Sequence, residues 1–121
     1  MLLVTSNTSK QLLYVSFVGQ VGPADIQSAK VQVSAQLANL APGFQYLVDL
    51  TTLESMSLDC LTEMGSLMEL LAQAGVRLVV RVIPDPAKDI GMNILTIFHY
   101  PQTVQVVTCE NLAGAVRALG L

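Results

Sequence analysis

Tryptophan is absent, histidine occurs once, cysteine twice, and only six residues are Lys or Arg. Each scarcity removes a class of function. Cys60 and Cys109 stand far apart with no second ligand pair beside either, which argues against a zinc site or a disulfide framework, so both are expected to be reduced and mostly buried. His99 has no nucleophile or orienting acid in a recognisable motif beside it, so neither general-base nor thiol catalysis is expected. Asp85 and Asp89 straddle Lys88 as a solvated helix start does, and no His/Cys/acid group has metal-ligand spacing. The GQVG stretch at 19–22 lacks the third glycine, or the Lys-Ser/Thr, of the phosphate-cradling loops and is expected to be a turn. No enzyme, cofactor or metal is expected. Lys10, Lys30, Arg77, Arg81, Lys88 and Arg117 are scattered singly in a chain with a pI near 4.8, which leaves no basic stripe for a nucleic acid.

Charge of either sign is sparse, at 12% of residues against roughly a quarter in an ordinary soluble domain, while 52% are hydrophobic. The apolar material is ample for a core, and disorder is excluded. No apolar run approaches the ~18 residues of a membrane span. The amino-terminal MLLVT run is short and has no basic region before it, so residence in the cytoplasm is the expectation. The length, 121 residues, matches one domain, expected to span 1–121.

The periodicity of what is present alternates along the chain. LLVT at 2–5 and QLLYVSFV at 11–18 read as strands, expected to form an antiparallel hairpin at a sheet edge. From Pro23, the residues Ile26, Ala29, Val33, Leu37 and Leu40 recur at helical spacing until Pro42-Gly43. FQYLVDL at 44–50 has the continuous apolar look of a buried parallel strand. A second helix is expected from Ser57, as its N-cap, with Leu58, Leu61, Met64, Leu67 or Met68, and Leu71 as its stripe and Gly75 as its stop. RLVVRVI at 77–83 is a strand, 87–98 a helix with Ala87, Ile90, Ile94, Leu95 and Phe98 on one side, TVQVVTC at 103–109 a strand, and NLAGAVRALG a closing helix. The order β-β-α-β-α-β-α-β-α predicts an α/β fold, a mixed and mostly parallel five-stranded sheet with four helices.

The element order, together with D49-L50-T51-T52-L53-E54-S55-M56-S57-L58-D59-C60-L61, resembles the STAS domain, named for sulfate transporters and anti-sigma factor antagonists. Asp49-Leu50-Thr51 matches the family's Asp-Leu-Ser strand end. The family's Asp-Ser-Ser/Thr-Gly motif, which opens the next helix, falls on Ser57, Leu58, Asp59 and Cys60, and only the apolar Leu61 after it agrees. In the switch members a serine at the Leu58 position is phosphorylated by an anti-sigma kinase, placing a dianion at a helix start. Leu58 has no hydroxyl, so that switch cannot run here. I90-G91-M92-N93 before a valine-rich strand also resembles a looser branch related in fold to lipid-binding SEC14 modules, which lacks the phosphorylation motif.

The resemblance implies a non-enzymatic regulatory domain that binds a protein partner, such as an anti-sigma factor or kinase-like regulator. The contact residues expected from it are Asp49, Thr51, Ser55, Ser57, Leu58, Asp59 and Met92. Ser57 is either a helix cap or an alternative phosphoacceptor, and Asp59 either a first-turn acid or a stand-in for phosphate. The alternative is a carrier or sensor of a small apolar or lipid-like ligand, with Ile90, Ile94 and Phe98 lining its pocket. Cys60, Met64, Met68, Leu70, Met92 and Ile97 exceed what two helical stripes need, and they fit a core, a homodimer seam or a docking surface alike. Finally, residues 31–76 hold Asp49, Glu54, Asp59, Glu63 and Glu69 and not one Lys or Arg.

Overall fold

The computed structural model describes residues 1–85 and 99–121. Its strands and helices run β1 (Leu2–Asn7), β2 (Leu12–Phe17), β3 (Gly19–Val21), α1 (Pro23–Leu37), β4 (Gln45–Asp49), β5 (Leu53–Met56), α2 (Cys60–Ala74), β6 (Leu78–Val82), β7 (Gln105–Cys109) and α3 (Leu112–Leu119). Five strands form one sheet in the order β1-β2-β4-β6-β7. β1 is antiparallel to β2 with Leu2 opposite Phe17, and every other neighbour in that sheet is parallel. This is the expected mixed sheet with its hairpin at one edge. The helix expected over 87–98 lies outside the described residues.

Both faces of the sheet are covered, which explains why the central strands read as unbroken apolar runs rather than alternating ones. Leu13, Val15 and Phe17 of β2, Tyr46 and Val48 of β4 and Val79 of β6 join the core with α1 and α2. Their neighbours Leu12, Leu47, Leu78, Val80 and Val82 face the other way and meet Ala115 and Leu119 of α3. Helix α1 begins with Pro23 at its first position, where a missing N–H has no bond to lose, and the Asp25 carboxylate accepts the Gly22 N–H at 2.9 Å. It buries Ile26, Ala29 and Val33 as its spacing predicts. It ends at Leu37, earlier than the Pro42-Gly43 stop expected, and residues 38–43 then turn back toward β4.

Gly75 stops α2 in the left-handed region, at φ 95°, and its carbonyl accepts the Gly43 N–H at 2.7 Å. A β-carbon at Gly75 would lie 2.9 Å from the Pro42 Cβ, so backbone freedom and close approach both require glycine there. Asn111 caps α3 by accepting the Gly114 N–H at 2.9 Å.

Two expectations are corrected. The GQVG stretch is not merely a turn: Gly19–Val21 is β3, paired in parallel with β5 as a separate two-stranded sheet. Ser57 is not the cap of α2, because the chain stays extended through Met56 and the Ser57 N–H bonds to the Val21 carbonyl at 3.3 Å. The helix therefore starts at Cys60, with Asp59 before it making no side-chain cap. That offset moves the buried stripe to Cys60, Met64, Leu67, Met68 and Leu71, and leaves Leu58 and Leu61 outside it.

Candidate functional site

The segment from Asp49 to Leu61 joins the central strand to α2, and its two ends are held differently. At the strand end the Asp49 side chain is buried, and each of its oxygens is engaged. Oδ1 accepts the Thr51 N–H at 2.9 Å and the Thr51 hydroxyl at 2.5 Å, and Oδ2 accepts the Tyr14 hydroxyl at 3.2 Å. This is an Asx-type turn, which bends the chain sharply out of the sheet. Burial first, and then the Asp49 charge, raise the Tyr14 pKa, so the phenol stays protonated and able to donate. Leu50 continues the ladder by donating to the Val82 carbonyl at 2.9 Å. The Thr52 hydroxyl donates to the Phe17 carbonyl at 3.2 Å, and the Thr52 carbonyl accepts the Gly19 N–H at 3.0 Å.

At the helix end, buried Cys60 anchors the turn by donating from Sγ to the Val21 carbonyl at 3.5 Å. The Ser57 hydroxyl lies 3.6 Å from the same sulfur. Between these anchors Thr51, Ser55, Ser57, Leu58 and Asp59 are all exposed. Leu58 is 83% exposed and Leu61 43% exposed, an unusual presentation for two leucines. Of the residues expected to contact a partner, Thr51, Ser55, Ser57, Leu58 and Asp59 are thus brought to the surface together. Asp49 is instead internal and shapes the loop. Met92, and the pocket residues Ile90, Ile94 and Phe98, lie outside the described residues.

The outer face of α2 continues from this apex. Lys30 of α1 reaches across to Glu63, 3.7 Å away, and donates to the Ser66 hydroxyl at 2.7 Å, while Gln27 donates to Glu63 at 3.2 Å. Farther along, His99 Nδ1 is 3.0 Å from Glu69 Oε1, and the imidazole lies flat against Gly65. Sequence reasoning missed both links, since helical spacing shows a face but not what crosses to it from another element. His99 therefore has an acid beside it at the surface, in a depression also lined by Thr62 and Ser66. Among the described residues no group of His, Cys, Asp and Glu could hold a metal ion. Between the sheet and α2, next to Tyr46, Met64, Leu71, Arg81 and Tyr100, is a cavity of about 10 Å³, room for a single water. No described helix is long and apolar enough to cross a membrane.

No family model matches the chain, and no curated protein does. Solved structures do match it in fold. An uncharacterised protein of the DUF3478 family with a SpoIIAA-like fold, from Shewanella loihica, superposes with a TM-score of 0.73 at 15% identity, covering 98% of this chain and 92% of that one. An anti-sigma factor antagonist from Mycobacterium paratuberculosis gives 0.63 at 19% identity, over 100% of this chain and 94% of that one. The anti-sigma factor antagonist SpoIIAA in its unphosphorylated form gives 0.62 at 14% identity, with both chains covered in full, 100% each. The chain has the SpoIIAA-like fold. That is the α/β architecture expected from its element order.

Proposed function

We propose that this chain is a non-enzymatic, STAS-like regulatory domain of the cytoplasm that docks a protein partner through residues 51–61, and that it does so without the usual serine switch. One observation carries the reading: Leu58, at the position where the switch members carry their phosphorylated serine, is 83% exposed at the tip of a loop that is otherwise tightly tied. A rigidly held, solvent-facing leucine beside a second one has no use in the core, and exposed apolar surface marks interaction sites. The anti-sigma factor antagonists of the same fold support a partner that is an anti-sigma factor or a kinase-like regulator. Ser57 is the phosphoacceptor nearest to that position if the site is modified at all, since its hydroxyl is exposed.

The test is affinity capture from the source cells with the wild-type chain and with Leu58→Glu, followed by measurement of Kd with the purified partner. A charge at this tip is expected to weaken binding at least about tenfold, the effect of roughly 1.4 kcal/mol at a hot-spot residue. Unchanged affinity would place the docking site elsewhere. Intact-mass analysis of the same native protein for a phosphate adduct decides whether Ser57 or a neighbouring hydroxyl carries one.

A further inference from the structure

The charges around the two exposed leucines say what kind of surface fits them. Asp49 is buried with its oxygens engaged by Thr51 and Tyr14, so it offers a partner no direct contact. Glu54 and Asp59 are exposed and pair with no described cation, Glu63 is met by Lys30, and Glu69 is met by His99. The apolar tip thus sits inside an acidic rim that is only partly compensated. From Leu61 an open depression of about 440 Å³ runs past Thr62 and Ser66 to Glu69 and His99. A second one, about 300 Å³, shares Ser66 and Glu69, continues to Leu70 and Gln73, and is bounded on the α1 side by Ser34 and by Lys30, the cation already engaged with Glu63 and Ser66. The two depressions border α2 and share the exposed Glu69; the one nearer the apolar tip has no described Lys or Arg in its lining, whereas Lys30 lines the other.

We infer, building on the docking reading above, that the partner presents a basic amphipathic segment: one or two apolar side chains against Leu58 and Leu61, flanked by Lys or Arg directed at Glu54, Asp59 and Glu69. A second copy of this chain is the wrong occupant, because a two-fold contact through the same patch sets each acid against its own like charge. A basic partner gains from the same charges, both in the encounter and in choosing among apolar surfaces. The attraction is screened once the Debye length falls below the spacing of the rim charges.

Three helix-forming peptides of one leucine pattern, carrying flanking Lys, Gln or Glu, serve as probes of the isotopically labelled full chain by backbone-amide NMR. The Lys peptide is expected to shift amides within 58–70, to lose affinity on going to ~0.3 M NaCl, and to outbind the Gln peptide, with the Glu peptide silent. Glu54→Gln combined with Asp59→Asn should weaken it about three- to tenfold, the sum of two exposed charge contacts. Glu110→Gln, beside the α3 cap, makes a smaller change in net charge away from the rim and should change affinity less than about twofold.

Equal, salt-independent binding of the Lys and Gln peptides would overturn the basic character of the partner while leaving apolar docking intact. So would silence of all three peptides while Leu58→Glu still abolished binding of the natural partner. Shifts spread over the whole surface, or as sensitive to Glu110→Gln as to the rim variants, would reduce the effect to net charge and overturn the inference. Shifts within 58–70 that follow protein concentration alone would give the face to a second copy.

Discussion

Tyr14 and Asp49 meet across the parallel β2–β4 pair, where the phenol donates to Oδ2 at 3.2 Å while Oδ1 holds the Thr51 turn. The contact links the shape of the loop that presents Leu58 to the interior of the sheet. Asp49→Ala removes the buried carboxylate that accepts from the Thr51 N–H, the Thr51 hydroxyl and the Tyr14 hydroxyl, and should destabilise the chain by about 2–3 kcal/mol, the scale of hydrogen bonds to a charged group. Asp49→Asn keeps an acceptor for Thr51 and should cost only ~1 kcal/mol, as should Tyr14→Phe, which removes one hydrogen bond. Urea unfolding of the three variants and of the Asp49→Ala/Tyr14→Phe pair checks this. The double variant should cost less than the sum of its parts, because the two residues share one contact; strict additivity would show that the contact contributes nothing.

All three tyrosines of the chain have raised pKa values: Tyr14 by burial and the Asp49 charge, Tyr46 and Tyr100 chiefly by burial, partly offset at Tyr100 by Arg81. Below the usual tyrosine value of about 10, both folded and unfolded chains hold these protons, and stability does not depend on them. Above it the unfolded chain releases protons that the folded chain retains, so the stability present at lower pH is lost as pH rises. Unfolding free energy measured between neutral pH and about pH 11 should therefore fall, and Tyr100→Phe should flatten the slope. Tyrosinate absorbance appearing in the folded protein near pH 10 would contradict the burial-driven shifts.

The interior was largely legible and the loop was not, for a physical reason visible at particular residues. Ile26, Ala29 and Val33 are buried where their spacing places them, and Gly75 and Gly120 end α2 and α3 in the left-handed conformation. Those signals are local: a period and a backbone preference. The short β3–β5 pairing is non-local, and a three-residue strand that begins at Gly19 and is followed by Gly22 has no period to read. That missed pairing propagated, since it extends the chain to Met56, delays α2 to Cys60 and takes Leu58 off the helical stripe expected for it, into the exposed turn before the helix. The candidate site residues Thr51, Ser55, Ser57, Leu58 and Asp59 were recognisable as one segment; the internal role of Asp49 required Tyr14, 35 residues away in sequence.

Gly65 lies within α2 under the His99 ring, and a β-carbon there would fall 2.5 Å from Nε2 and 2.7 Å from Cε1. Alanine favours the helix by about 1 kcal/mol over glycine. Against this, the half-buried ring must swing away and give up its Glu69 contact, a surface pair worth ~0–1 kcal/mol, together with its packing on the helix. The opposing effects are of similar size, so Gly65→Ala should move Tm by no more than about a few degrees. The nuclear Overhauser contacts of the His99 ring with the α-protons of residue 65 and with the Glu69 side chain should nevertheless disappear. A large fall in Tm with those contacts retained would mean that α2, not His99, yields.

Leu58 and Leu67 are the same residue type nine positions apart, one 83% and the other 2% exposed, so variants at the two test the proposed docking apart from folding. Leu67 sits in the core beneath α2, where truncation removes buried methyl groups and leaves a cavity, so Leu67→Ala should cost about 2–5 kcal/mol. Leu58 is in the turn before the helix, its side chain in solvent, so Leu58→Glu should shift the unfolding midpoint by no more than the equivalent of ~0.5 kcal/mol. A new acid there also lies near the amino terminus of α2, where the helix dipole slightly favours it. Thermal and urea unfolding of both variants, run beside the partner Kd, make the distinction. If Leu58→Glu destabilises the chain as Leu67→Ala does, the leucine is supporting the fold, and any lost binding reports unfolding; if it leaves stability unchanged while binding falls, the exposed tip is the contact itself.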